Sequence, residues 1–134
     1  MSSDLLKVET DTPAQTILLV EDSPSAMQFM QEALEGKGYK LLKAKDGEEA
    51  LLQTAAHHPD LVLLDVVLPK VSGFEVCREI KRTTQSQTTR VILLSTKNQE
   101  TDRFWGLKQG ADEYLAKPFS AQQLLAKVKA HLTR

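Results

Sequence analysis

Leu61-Val62-Leu63-Leu64-Asp65 runs four consecutive apolar residues into one carboxylate, with Pro69 and Gly73 closing the turn beyond. A short unbroken aliphatic run bounded by breakers reads as a strand buried on both faces of a parallel sheet. Asp65 then stands at the carboxyl end of that strand. In open α/β sheets the loops at this edge line the ligand crevice, so an acid there is fixed by the scaffold yet reachable from solvent. The rest of the chain is organised around that acid.

Upstream, Thr16 to Val20 (TILLV) is a second buried run, ending in Glu21-Asp22. Ser23-Pro24 reads as an N-cap with proline at the first helical position, and Ala26, Met27, Met30, Ala33 and Leu34 recur at helical steps as far as Glu35. Tyr39 to Ala44 is a shorter, more polar strand, as expected near a sheet edge. Asp46 with Glu49 caps a helix holding Ala50, Leu51 and Ala55, and His57-His58-Pro59 stops it.

Downstream, Ser72 and Glu75 have capping-box spacing for a helix through Phe74, Val76 and Ile80 to about Arg82, followed by the polar run TTQSQTT as a loop. Arg90 to Ser95 (RVILLS) is another buried strand. A helix from about Gln99 to Gln109 presents Phe104, Trp105 and Leu107, and Gly110 ends it. Asp112 to Ala116 is the last strand, turning at Lys117-Pro118. Ser120 and Gln123 box a final helix striped by Ala121, Leu124, Leu125, Val128 and Leu132. Strands alternating with helices in this way predict an α/β fold: a doubly wound, five-stranded parallel sheet with right-handed crossovers.

With 134 residues, the chain has the length of one domain. Residues 1–15 are polar, of mixed charge, and read as a flexible tail; residues 16–134 form the domain. Seventeen Lys plus Arg against eighteen Asp plus Glu leave a net charge of -1, which argues against nucleic acid or an anionic membrane as partner and favours proteins. The lone Cys77 excludes an internal disulfide framework, and no Cys/His cluster has zinc spacing. No apolar run is long enough to span a bilayer and no secretory signal opens the chain, so a cytoplasmic protein without membrane insertion is expected.

Glu21, Asp22, Asp65, Ser95 and Lys117 all fall at carboxyl ends of predicted strands and therefore converge on one edge. Crowded carboxylates repel, and a hard divalent cation such as Mg2+, which takes oxygen ligands, relieves that repulsion. With an acidic pair holding the ion, Asp65 can attack a phosphoryl group while Lys117 and the Ser95 hydroxyl bond its oxygens. The product is an aspartyl phosphate, whose added charge and three acceptor oxygens can draw Ser95 inward and reset the surrounding loops.

These pieces, ILLVEDS, LVLLDVVLPKVSGFE, VILLST and GADEYLAKPF, resemble the receiver domain of two-component response regulators from about Thr16 to Leu132. The spacing agrees, with Ser95 30 residues after Asp65 and Lys117 22 after Ser95. The resemblance implies a flavodoxin-like sheet in the order 2-1-3-4-5, an order the general rules for such sheets already state for a member of this family. It implies Asp65 as phosphoacceptor and Glu21, Asp22, Asp65 and the Val67 backbone carbonyl as Mg2+ ligands. It further implies Ser95 as switch hydroxyl, Lys117 as phosphate partner, Tyr114 as the aromatic whose rotamer reports activation, and a cis Lys117-Pro118 bond.

Within the family, STKNQETDRFWGLKQGA resembles the single-domain regulators of type IV pilus and twitching-motility chemosensory systems. The resemblance implies a phosphoacceptor switch rather than a turnover enzyme, self-catalysed in phosphorylation and dephosphorylation. A histidine kinase would be the donor, and a motility or signalling protein would dock on the surface of the fourth helix, fifth strand and fifth helix. Trp105 and Tyr114 are the candidate partner-surface residues. Thr96 and Val67 depart from the smaller and more polar residues many relatives carry.

Other readings compete. A phosphate sink draining a shared kinase fits the same residues. A phosphatase of the haloacid dehalogenase type needs a second Asp two residues after the nucleophile, where Val67 stands. An FMN binder needs a first loop that welcomes phosphate, and EDSPS leads with two acids. Taken singly, Asp65 could be a helix cap, Glu21-Asp22 a complement to a helix dipole and Lys117 a solvated turn charge. His57 and His58 read as a solvated helix end, His131 as a frayed terminus, Lys127 and Lys129 as a wet face, and Cys77 as a small buried residue.

Overall fold

The computed structural model describes residues 13–83, 85–97 and 99–133. Most of the tail, residues 1–12, lies outside the described residues. Gln15, just before the first strand, is tied to the sheet by its carbonyl, which accepts from the Lys40 amide at 2.9 Å.

In chain order the elements are β1 (Thr16–Val20), α1 (Pro24–Leu34), β2 (Lys40–Ala44), α2 (Gly47–His57), β3 (Leu61–Asp65), α3 (Gly73–Arg82), β4 (Arg90–Ser95), α4 (Glu100–Lys108), β5 (Glu113–Ala116) and α5 (Ala121–Leu132). The five strands form one parallel sheet in the order β2-β1-β3-β4-β5. This is the α/β, doubly wound, flavodoxin-like architecture expected.

Successive strand side chains point to opposite faces, and each face has its own core. Leu18, Val20, Val62, Leu64, Val91 and Leu93 pack with Ala50, Val76, Cys77 and Ile80 beneath α2 and α3. Ile17, Leu19, Leu61, Leu63, Ile92 and Leu94 pack with Met30, Leu34, Leu124, Val128 and Leu132 beneath α1 and α5. Helices cover both faces, so the central strands must be apolar at every position. Each fully buried Leu or Ile contributes roughly 1.5–3 kcal/mol. β2, at the edge, keeps Lys40 and Lys43 exposed, which blunts pairing with another chain.

The helices start where their caps stand. Ser23 accepts from the Ala26 amide at 3.3 Å, Asp46 from Glu49 at 2.7 Å and Ser72 from Glu75 at 3.3 Å. Ser120 and Gln123 make the full reciprocal box, at 3.0 and 2.8 Å. Each cap satisfies amides that the first turn leaves without partners.

Two local expectations, for His131 and Lys127, are corrected. His131 is no frayed end: its Nε2 lies 3.0 Å from Glu113 Oε1, and Lys127, read as a wet residue, reaches Glu113 Oε2 at 3.1 Å. The polar loop after α3 is tied down, with the Ser86 hydroxyl donating to Ile80 O at 2.8 Å and Thr89 to Pro59 O at 3.0 Å. α4 turns its large apolar side chains outward, and of its residues only Gly106 is buried. Cys77 is buried as expected, and burial pushes its thiol up to about 12, where no thiolate forms at neutral pH.

Candidate functional site

Sheet register brings the site together. β1 pairs Val20 with Leu64, so Glu21, one step on, comes level with Asp65, the last residue of β3. β4 pairs Leu94 with Asp65, which sets Ser95 one step further out, and Ser95 in turn pairs with Ala116 of β5, just before Lys117. Backbone bonds continue past the strands: Glu21 N–H to Ala44 O (3.1 Å), Val66 N–H to Leu94 O (3.0 Å) and Lys117 N–H to Ser95 O (2.8 Å). The strand ends are therefore locked to one another, and their side chains share a crevice.

Beyond Asp65 the chain turns tightly into α3. The Gly73 amide donates to Val66 O at 2.8 Å, and a Cβ on Gly73 would stand 2.2 Å from the Asp65 carbonyl oxygen. No residue but glycine fits there without moving the backbone of Asp65 itself.

Carboxylate oxygens of Glu21, Asp22 and Asp65 all lie within 4.8 Å of one another; Glu21 and Asp65 are buried and Asp22 is exposed. The Lys117 ammonium reaches Glu21 Oε1 at 2.7 Å and Asp65 Oδ2 at 3.5 Å. The Ser23 amide donates to Glu21 Oε2 at 3.2 Å, and the Val67 amide lies 3.4 Å from Asp65 Oδ1. The Lys117-Pro118 peptide is cis, as the resemblance implied.

Two buried acids thus share one amine, and the nearer acid takes most of its charge. Burial opposes ionisation of Glu21, but its bonds to Lys117 and to the Ser23 amide outweigh burial and hold it below the ordinary carboxylate value. Burial, and then the Glu21 charge, pushes the Asp65 carboxyl up to about 6. Burial likewise opposes the Lys117 charge, yet Glu21 and Asp65 together raise that amine.

Asp65 therefore binds its proton more tightly folded than unfolded. Its contribution to stability is present in full below the ordinary value of 3.8 and is lost as pH rises through about 6. In metal-free buffer Asp65→Asn should remove that fall and stabilise the protein at pH 7.5 by roughly 1–3 kcal/mol, an upper range set by a shift of about two units. Urea denaturation at pH 5 and pH 7.5 reads it. An asparagine variant no more stable than wild type at pH 7.5 contradicts the assignment of repulsion to this pair.

A cation fits this donor set. All three side chains offer hard carboxylate oxygens, no sulfur or imidazole stands among them, and ionisation of Asp65 beside the Glu21 charge is what the site resists. An octahedral oxygen-seeking ion of the Mg2+ type matches that chemistry.

On the side toward β4, Ser95 is buried and its Oγ accepts from the Lys97 amide at 2.9 Å. The Tyr114 hydroxyl donates to the Lys97 carbonyl. Tyr114 is only 2% exposed, so in this conformation it belongs to the core and not to the partner surface it was expected to share with Trp105. Trp105 is 52% exposed, but it lines a groove of about 190 Å³ with Ser72, Phe74, Glu75 and Arg78 on the α3 side of α4, away from β5 and α5.

Sequence reading missed three contributors. Lys70 has a left-handed backbone (φ 70°) and pairs with Asp46 at 3.6 Å, linking the loop after Asp65 to the start of α2. Phe29 and Phe119, with ring centroids 6.0 Å apart, flank an apolar cavity of about 390 Å³ that opens beside Glu21, Thr96 and Lys117. Arg103 contacts Tyr114. The Pro-Lys-Val-Ser-Gly stretch marks a turn, but a lysine gives no sign of a left-handed backbone, and the other two contacts left no trace in the sequence.

The response regulator receiver domain profile matches residues 17–129. The chain belongs to that family. This receiver is 39% identical over 116 residues to protein PilH of Pseudomonas aeruginosa, covering 87% of this chain and 96% of that protein. It is 43% identical over 118 residues to the alkaline phosphatase synthesis transcriptional regulatory protein PhoP of Bacillus subtilis, covering 88% of this chain and 48% of that one. The chain thus spans about half the length of PhoP and nearly all of PilH.

Among solved structures, the receiver superposes on the chemotaxis response regulator CheY4 of Vibrio cholerae with TM-score 0.85 and 30% identity, covering 90% of this chain and all (100%) of that one. It superposes on the beryllofluoride-activated DrrB receiver domain, of a Thermotoga maritima protein, with TM-score 0.82 and 34% identity, covering 91% of this chain and 100% of that one. Among the described residues of this receiver, no helix is long and apolar enough to cross a membrane.

Proposed function

We propose that this receiver is a phosphorylation switch that takes a phosphoryl group onto Asp65 from a phosphohistidine of a kinase. The observation that carries the proposal is the Lys117 ammonium, which joins Glu21 at 2.7 Å and Asp65 at 3.5 Å across 96 residues of sequence. An amine in that place can follow charge from the carboxylate to the phosphoryl oxygens as the group arrives.

In the transfer, an Asp65 carboxylate oxygen forms a bond to phosphorus as the phosphorus–nitrogen bond of the donor breaks, and the electron pair stays on the imidazole. Glu21, Asp22, Asp65 and the Val67 carbonyl would hold Mg2+, which when bound neutralises the acids and stabilises charge on the transferred group. Lys117 holds the acceptor carboxylate and then pairs with a phosphoryl oxygen. The Ser95 hydroxyl donates to another, and Tyr114, bonded to the same Lys97 residue, responds with it. Val67 stands where a haloacid-dehalogenase phosphatase needs its general acid, and an isopropyl group can give no proton, which favours a switch over turnover.

The output is a changed protein surface. PilH-like length coverage, the STKNQETDRFWGLKQGA segment and the fold shared with a chemotaxis regulator support a place in motility or taxis control. The test is incubation with acetyl phosphate and intact-mass measurement. One phosphoryl group should add in the presence of Mg2+ and none after chelation with EDTA. Equal modification with and without the metal would overturn the Mg2+ assignment, and no modification at all would overturn the acceptor role.

A further inference from the structure

α4 sits on the sheet without an apolar face of its own. Phe104, Trp105 and Leu107 are 62%, 52% and 49% exposed, and the helix meets the core through Gly106. A Cβ on Gly106 would stand 2.9 Å from Leu93 Cδ1 and 2.9 Å from Tyr114 Cδ2, so the helix backbone rests directly on the tyrosine ring. From the turn before, Arg103 reaches over the ring. Its Nη1 donates to Tyr114 O at 3.0 Å, and its guanidinium carbon lies 5.7 Å from the ring centroid.

The other side of Tyr114 leads back to the acidic crevice. Its hydroxyl donates to Lys97 O, and the Lys97 amide donates to Ser95 Oγ at 2.9 Å. One continuous series of contacts therefore runs from the Ser95 hydroxyl through the Lys97 backbone and the Tyr114 ring to Arg103 and Gly106. An exposed helix with so little buried apolar area is held by few contacts, so each weighs heavily in where it sits.

We propose that Arg103 is a positioning residue that clasps Tyr114 and thereby couples the Ser95 hydroxyl to the seating of α4 and its exposed aromatic side chains. The inference rests on the phosphoacceptor reading and adds to it a residue that touches none of the reacting atoms. Removal of the clasp leaves the acids, the amine and the hydroxyl in place but frees the helix from the ring. Coupling between sites usually spans about 5- to 150-fold, so loss of one of its few links should be measurable.

The experiment loads wild type, Arg103→Ala and Arg103→Lys with beryllofluoride and Mg2+. Loading is followed by fluorine NMR, and the response of α4 by emission from Trp105, the one tryptophan in the chain. Wild type should load and shift its Trp105 emission. Arg103→Ala should load but lose most of that response. Arg103→Lys, which keeps a cation over the ring but loses the planar fork, should fall between.

Gly106→Ala, whose added methyl group meets the ring, should shift Trp105 emission before loading. Arg103 is exposed, so its substitution does not threaten the core. A full Trp105 response in Arg103→Ala at equal loading, or a wild type that loads with no Trp105 response, overturns the proposal. Absence of the fluorine signal in wild type marks failure of the phosphoacceptor reading itself.

Discussion

Asp65→Asn protein should take no beryllofluoride and gain no mass from acetyl phosphate, while keeping its fold. Asparagine matches aspartate in shape, so packing around β3 is preserved. Its amide, however, offers no nucleophilic carboxylate oxygen, and the chemistry fails at its first step. The variant should also be more stable at neutral pH, because burial beside Glu21 pushes the native carboxyl up to about 6 and its ionisation strains the folded state. Loss of loading together with a gain in stability separates a chemical role from a structural one. Loading at the wild-type rate would place the acceptor elsewhere.

The second large effect should come from Lys117→Ala. Removal of one pre-placed charge donor from a site of this kind costs about 10²–10³ in rate, and phosphorylation by acetyl phosphate should slow by that order. Mg2+ affinity should hold or rise, because Glu21 loses the 2.7 Å partner that competes with the ion for its oxygens. Without that amine, burial of Glu21 is opposed chiefly by the Ser23 amide alone, and its carboxyl rises. The variant should therefore be destabilised at neutral pH and should recover as pH falls and Glu21 takes a proton. Rate measurements beside Mg2+ titrations check the split. Parallel losses in both would make Lys117 a scaffold residue.

The fold was legible because its central strands are buried on both faces. Between their end residues LVLLD, TILLV and VILLS carry no polar side chain, and no helix of ordinary amphipathic pattern looks like that. The site was legible for a related reason: the apolar runs of β1, β3, β4 and β5 each give way at the carboxyl end to a polar side chain, and in a parallel sheet those ends lie together. Glu21, Asp65, Ser95 and Lys117 could be assigned to one edge from their places at the carboxyl ends of the strands.

What the sequence hid was set by tertiary contact. Periodicity seeks an apolar stripe, and α4 has its apolar residues on the outside and a glycine on the inside, so nothing in its pattern indicates where it rests. Arg103 to Tyr114, like Lys127 and His131 to Glu113, is a contact between a helix and a strand whose partners share no sequence spacing. The division of Lys117 between two acids was equally hidden. It follows from a side-chain distance of 2.7 Å to Glu21 against 3.5 Å to Asp65, which no residue pattern encodes.

The most direct measurement locates the phosphoryl group. Protein treated with acetyl phosphate and Mg2+ is reduced with borohydride, which converts an acyl phosphate to the alcohol, and its peptides are then mapped. Conversion of residue 65 alone to homoserine, absent without Mg2+, is the predicted result. Label on His57, His58 or His131, or on Glu21 or Asp22 with Asp65 intact, would contradict the assignment of Asp65 as the acceptor.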